Sequence, residues 1–145
     1  MIGLLQRVAY ARVRVAGELV GEIGTGLLVF VGVQKKDAPA QAQRLLQRLL
    51  GYRVFEDPEG RMNLGLRDVQ GGLLLVPQFT LAADTRKGAR PSFSTAAAPD
   101  RGRELFDYLV KQAQQDYPGV ASGIFGADMA VELLNDGPVT FWLET

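Results

Sequence analysis

Gln78, Phe79 and Thr80 follow an apolar run at residues 73–76 and a proline at 77, so an amide, an aromatic ring and a hydroxyl stand where a buried strand should end. A rigid strand end of this kind can present side-chain and backbone donors to a polar ligand, with Phe79 as an apolar or stacking surface. The same residues also suit a strand that finishes at a bulge, where Gln78 and Thr80 only satisfy loose backbone groups. A second stretch, residues 135–140, reads Asn-Asp-Gly-Pro-Val-Thr. It is either a Gly-Pro turn between strands or a place where main-chain carbonyls approach a ligand with no side chain in the way. A cis Gly137–Pro138 peptide would let both carbonyls point the same way.

Two absences narrow the chemistry. The chain has no cysteine, which excludes disulfides, thiolate zinc sites and a cysteine nucleophile. It has no histidine either, which removes the usual neutral-pH general base, the Ser-His-Asp triad and most zinc chemistry. A hydrolase built from this sequence must use carboxylates, hydroxyls, amides, backbone groups or the substrate's own atoms. Neither a metal nor a cofactor is implied.

Sixteen basic residues balance sixteen acidic ones, so net charge points to no nucleic-acid partner and any basic patch must be local. The clusters available are Arg7, Arg12 and Arg14; Lys35 and Lys36; and Arg86, Lys87 and Arg90. Taken singly, each is accounted for as solvated surface charge.

The elements that must position these residues are legible in outline. With 145 residues and 47% hydrophobic content, residues 1–145 are expected to form one globular domain. No apolar run approaches the roughly 20 residues of a membrane helix, and Arg7 interrupts any signal-peptide centre, so a cytoplasmic protein is expected. Residues 8–15 partly alternate apolar and polar side chains, and residues 27–33 form a continuous run suited to a strand buried on both faces. A helix is expected after Asp37 or Ala38 as cap, with Pro39 in its first turn, Leu45, Leu46, Leu49 and Leu50 as its stripe, and Gly51 at its end. Residues 62–66 suggest a short irregular strand. A second helix should start near Pro99 and Asp100, with Leu105, Phe106, Leu109, Val110 and Ala113 inward. Two strands separated at residues 135–138 should close the chain. The expected fold is α/β of the α+β type: a single domain dominated by a mostly antiparallel, barrel-like sheet with two main helices.

The strings "QFTLAADTRKGARPSF" and "NDGPVTFWLET", with "GEIGTGLLVFVGV" and "LGYRVFEDPEGRMN", resemble the D-aminoacyl-tRNA deacylase family, formerly called D-tyrosyl-tRNA deacylases. The resemblance covers essentially the whole chain. It implies a cytoplasmic homodimer that hydrolyses the ester joining a D-amino acid, or glycine mischarged on tRNA-Ala, to the terminal adenosine of tRNA. It further implies a cleft at the dimer interface, where a Ser-Gln-Phe-Thr motif of one subunit faces a Gly-cis-Pro motif of the other. Gln78, Phe79 and Thr80 match the first motif, Gly137 and Pro138 the second, and Arg7 the arginine that holds the Gly-Pro loop. Arg86, Lys87 and Arg90 are the expected tRNA contacts, because their loop leaves directly from the first motif.

One position departs: the motif's serine is Pro77 here. Proline requires the strand to be an edge or a bulge at that point, and its missing hydroxyl speaks against a serine nucleophile. Thr80 has no evident base beside it and is expected to position rather than attack. The tRNA 2′-hydroxyl is the expected helper of the attacking water. Two other functions fit the same residues: an RNA-end binding module without catalysis, and a structural homodimer in which both motifs are turns.

Overall fold

The computed structural model describes residues 1–145. Strand β1 (Ile2–Val15) is longer than its alternating segment suggests, because Leu5, Val8, Ala11 and Val13 keep it buried along both halves. A tight turn through Ala16 and Gly17, both at positive φ, returns the chain into β2 (Glu18–Ile23). Strand β3 (Gly26–Gly32) then pairs antiparallel with the first half of β1. Its Leu27, Leu28 and Val29 are all buried, so both faces are covered as the continuous apolar run requires.

Helix α1 (Pro39–Gly51) starts at the expected proline, and Ala38 is its cap. An alanine side chain cannot accept a hydrogen bond; the Ala38 N–H donates instead to Oε1 of Gln41 at 3.0 Å. Asp37 does not cap, because its carboxylate is engaged by the Met1 ammonium and the Gln34 N–H, both at 2.6 Å. Leu45, Leu46, Leu49 and Leu50 are buried as one stripe, each worth about 1.5–3 kcal/mol of burial. Helix α1 leads to a small hairpin, β4 (Phe55–Glu56) with β5 (Met62–Leu64), and to a single-turn helix α2 (Leu66–Val69) that takes the end of the expected irregular strand.

Strand β6 (Gly72–Pro77) enters the sheet parallel to β3. A 3-10 turn (Phe79–Ala82) and a long loop follow, then helix α3 (Pro99–Asp116), which buries Gly102, Leu105, Phe106, Leu109 and Ala113. Val110 sits at the edge of that face and is only half-buried. Strand β7 (Val120–Ser122) pairs parallel with β6, and β8 (Met129–Glu144) runs antiparallel along the whole of β1.

The strand order is β2-β1-β3-β6-β7, with β8 on the other edge of β1. The sheet is therefore antiparallel around β1 and parallel around β6, where the helical connections permit a parallel return. It curls until β2 lies against β7: a Cβ added at Gly21 would sit 2.9 Å from the Ser122 carbonyl oxygen. The result is a nearly closed barrel with helices α1 and α3 on one outer side. One apolar core, including Leu5, Leu27, Val29, Leu73, Leu75 and Leu143, lies under the helices. A second, including Val8, Ala11, Val13, Leu28, Leu74 and Val76, fills the barrel. No helix is long and apolar enough to cross a membrane.

Candidate active site

The end of β6 explains its proline. The Gln78 N–H still donates to the Val31 carbonyl on the β3 side at 2.8 Å, so the nitrogen of Pro77 faces the opposite side. There the β7 ladder has already ended: pairing covers only residues 73–75, and Gly123 N–H closes it on Leu75 O. Pro77 thus occupies a local edge, where a missing donor leaves nothing unpaired.

Past that point the chain bends into the 3-10 turn. Leu81 N–H donates to Gln78 O, and Ala83 N–H to Thr80 O. Phe79 and Thr80, first in the turn, have no N–H partner within it. The Gln78 side-chain amide donates to Thr80 Oγ1 at 2.6 Å. An amide N–H cannot accept a proton, so this contact orients the hydroxyl without activating it.

A cavity of about 300 Å³ opens beside these residues, with Val76, Pro77, Gln78 and Phe79 on one wall and residues 125–129 with Val131 on the other. Phe125 is set in place by helix α3: its ring lies where a Cβ at Gly102 would meet it at 3.1 Å, and the Arg103 guanidinium sits 5.1 Å from its centre. The motif pattern pointed to neither residues 125–129 nor Phe93, whose ring centre is 5.1 Å from that of Phe79. The string "FGADM" was a visible signal, a small apolar cluster between two strands, but its place opposite Gln78 depends on tertiary packing.

Residues 136–139 are not a turn between two strands. Asn135 pairs with Val8 and Thr140 with Gln6, so two residues of advance on β1 meet five on β8 and the excess bulges out. The expected pair of strands is thereby a single interrupted one. Arg7 stands beneath the bulge, only 8% exposed. Its Nε donates to Asp136 O at 3.0 Å and its Nη1 to Val54 O at 2.7 Å, while the Asp136 carboxylate lies 3.8 Å from Nε. Asn135 completes the frame, accepting from Val139 N–H and donating to Thr140 Oγ1. Gly137 has φ +129°, and a Cβ there would lie 2.8 Å from Arg7 Nη2 and from Val139 Cγ2. The Gly137–Pro138 peptide is cis, and both residues are exposed.

Within one chain the two motifs are far apart. Gly137 is level with Arg7, which pairs with Leu27 and through it with Leu73, whereas Gln78 lies five residues further along β6. Three strand spacings and five residues of rise amount to about 20 Å along the sheet. The structure therefore brings Arg7, Gly137 and Pro138 together, and Gln78, Phe79 and Thr80 together, but leaves the two groups separate.

The basic loop leaves from the 3-10 turn and is pinched by two main-chain hydrogen bonds between Asp84 and Ser92, at 2.7 and 3.0 Å. Arg86 folds back on Asp84 through two side-chain contacts, at 2.9 and 2.6 Å. Those hydrogen bonds from Arg86 hold the Asp84 carboxyl well below the usual carboxylate range. Lys87 and Arg90 are exposed and make no ion pair, so they are the loop's unneutralised cations.

Comparison with known proteins agrees with this architecture. The family model for D-Tyr-tRNA(Tyr) deacylase matches residues 4–144. The chain is 67% identical over 144 residues to the D-aminoacyl-tRNA deacylase of Thioalkalivibrio sulfidiphilus, spanning 99% of this chain and 97% of that one. It is also 67% identical over 145 residues to the protein of that name from Pseudomonas fluorescens, spanning both chains fully. A solved structure of the c-Myc DNA Unwinding Element Binding Protein superposes with a TM-score of 0.95 at 34% identity, covering 100% of this chain and 99% of that one. With the match running through both motifs and nearly from end to end, this chain belongs to the D-Tyr-tRNA(Tyr) deacylase family.

Proposed function

We propose that this protein is an aminoacyl-tRNA editing hydrolase, cleaving the ester between a D-amino acid, or glycine, and the terminal adenosine of tRNA. Its partners are the aminoacylated 3′ end of tRNA and a second copy of the chain, and its compartment is the cytoplasm, where aminoacyl-tRNA is used. The observation that carries the mechanism is the Thr80 hydroxyl held by the Gln78 amide and hydrogen-bonded to no carboxylate, one residue beyond Phe79 in the cavity wall. Aminoacyl esters are already activated, so positioning and a few aimed donors suffice; one oxyanion donor is typically worth about 2.7–4 kcal/mol. The cavity's apolar walls suit the flat adenine ring. The Phe79 and Thr80 N–H groups bind the ester carbonyl and ribose, and the adjacent ribose 2′-hydroxyl orients the attacking water. Water oxygen bonds to the carbonyl carbon, the bond to the ribose 3′-oxygen breaks, and that oxygen takes a proton as the amino acid leaves.

The distance of about 20 Å between the motifs supports a cleft shared by two subunits. The surface available for a second copy is the open part of the sheet, where Phe30, Leu4 and Trp142 lie side by side on β3, β1 and β8. Trp142 is 51% exposed there, and β8 has no partner on its outer edge. In this arrangement Gly137 and Pro138 of the second copy crowd one side of the bound α-carbon with main-chain oxygens. Hydrogen fits on that side and an L side chain does not, so glycine passes with the D-amino acids.

Incubation with D-tyrosyl-tRNA, L-tyrosyl-tRNA and D-tyrosyl-tRNA ending in 2′-deoxyadenosine tests the reading by counting released tyrosine. Release from the first alone is expected. Binding without release would make the protein an RNA-end binding module, and undiminished cleavage of the deoxy substrate would return Thr80 to the role of nucleophile.

A further inference from the structure

We propose that Phe93 and Phe79 form an aromatic ledge on which an unpaired base next to the terminal adenosine stacks. The proposal rests on the tRNA-ester reading above and adds a binding residue outside both motifs. The two rings sit 5.1 Å apart and 45° from coplanar, with Phe79 57% and Phe93 44% exposed. Single exposed apolar side chains need no explanation, but this pair is firmly mounted. Phe93 O accepts the Ala96 N–H at 3.1 Å, the Thr95 hydroxyl donates to Ala82 O in the 3-10 turn, and Lys35 N–H donates to Thr95 O at 3.0 Å. On the other side of Phe93, the Asp84–Ser92 pair of hydrogen bonds fixes the base of the basic loop. An exposed surface held this rigidly loses little freedom when something binds it.

The surroundings select the occupant. Phe79 belongs to both the ledge and the wall of the cavity, so whatever stacks on the pair is continuous with the cavity's contents. Lys87 and Arg90, in the loop that ends one residue before Phe93, supply positive charge suited to a phosphate backbone. An exposed pair of aromatic faces near unpaired cations fits single-stranded nucleic acid, whose bases stack on aromatic rings whatever their identity.

The test compares two substrates that share the aminoacylated terminal adenosine and differ in whether the rest of the tRNA follows it: D-tyrosyl-tRNA and 3′-D-tyrosyl-adenosine. The readout is the ratio of kcat/KM for the first to that for the second. Phe93→Ala is expected to lower this ratio by about 5- to 150-fold, the usual worth of one stacked base, chiefly through KM. Phe93→Leu, which keeps apolar bulk, should lower it as well, and Phe93→Tyr should retain it. An unchanged ratio in both Phe93→Ala and Phe93→Leu would overturn the ledge, whether or not both rates fall together, since a buttress for Phe79 affects both substrates alike. Failure of the wild-type protein to cleave either substrate would instead overturn the hydrolase reading.

Discussion

The Thr80 hydroxyl is oriented by the Gln78 amide rather than ionised by a base. Thr80→Val keeps the shape and removes the hydroxyl, and is expected to reduce kcat/KM on D-tyrosyl-tRNA about 2- to 10-fold, the worth of one ordinary hydrogen bond. Loss of all activity, or an acyl-threonine adduct in quenched mass spectrometry, would contradict this. Arg7 has the larger structural duty, because its removal leaves the Val54 and Asp136 carbonyls without their donor. Arg7→Met should cost about 1–3 kcal/mol in urea unfolding and raise hydrolysis of L-tyrosyl-tRNA as the bulge loses its support. Both residues were visible in the sequence by motif. Their partners were not: Val54 is 47 residues from Arg7, and no local pattern records such a contact.

Among the elements, those with a strong period were legible. Helices α1 and α3 follow from leucines at 3.6-residue spacing, and β3 from its unbroken apolar run. The bulge in β8 was not, because Asn-Asp-Gly-Pro is an ordinary turn sequence, and only pairing with Gln6 and Val8 of distant β1 makes one strand of it. The single turn of α2 is too short to show a period. Parallel pairing of β6 likewise depends on the helical crossover rather than on the strand's own residues. The basic loop yields a prediction in pH. The Asp84 carboxyl is lowered by Arg86, so its contribution to stability is present above the unfolded value of about 3.9 and lost as pH falls through the folded one. The difference in thermal midpoint between wild type and Asp84→Asn should therefore be constant near neutrality and shrink below about pH 4. A difference that grew on acidification would contradict the pairing.

For the whole molecule, the apolar face at Phe30, Leu4 and Trp142 should set the oligomeric state. Trp142→Glu places a charge there and is expected to give monomers in analytical ultracentrifugation, with deacylation lost although the chain's own Gln78, Phe79 and Thr80 are intact. The most direct measurement mixes two inactive variants. Phe79→Pro, at the first position of the 3-10 turn where a missing N–H is tolerated, removes both the ring and an ester-binding N–H from one wall, and Gly137→Leu fills the other. Refolded together, they form mixed dimers in which one of two shared clefts carries both native walls, and about one quarter of wild-type activity on D-tyrosyl-tRNA should return. If each chain builds its own site, every cleft in the mixture carries a defect, and activity that stays at the level of the separate variants would contradict the shared cleft.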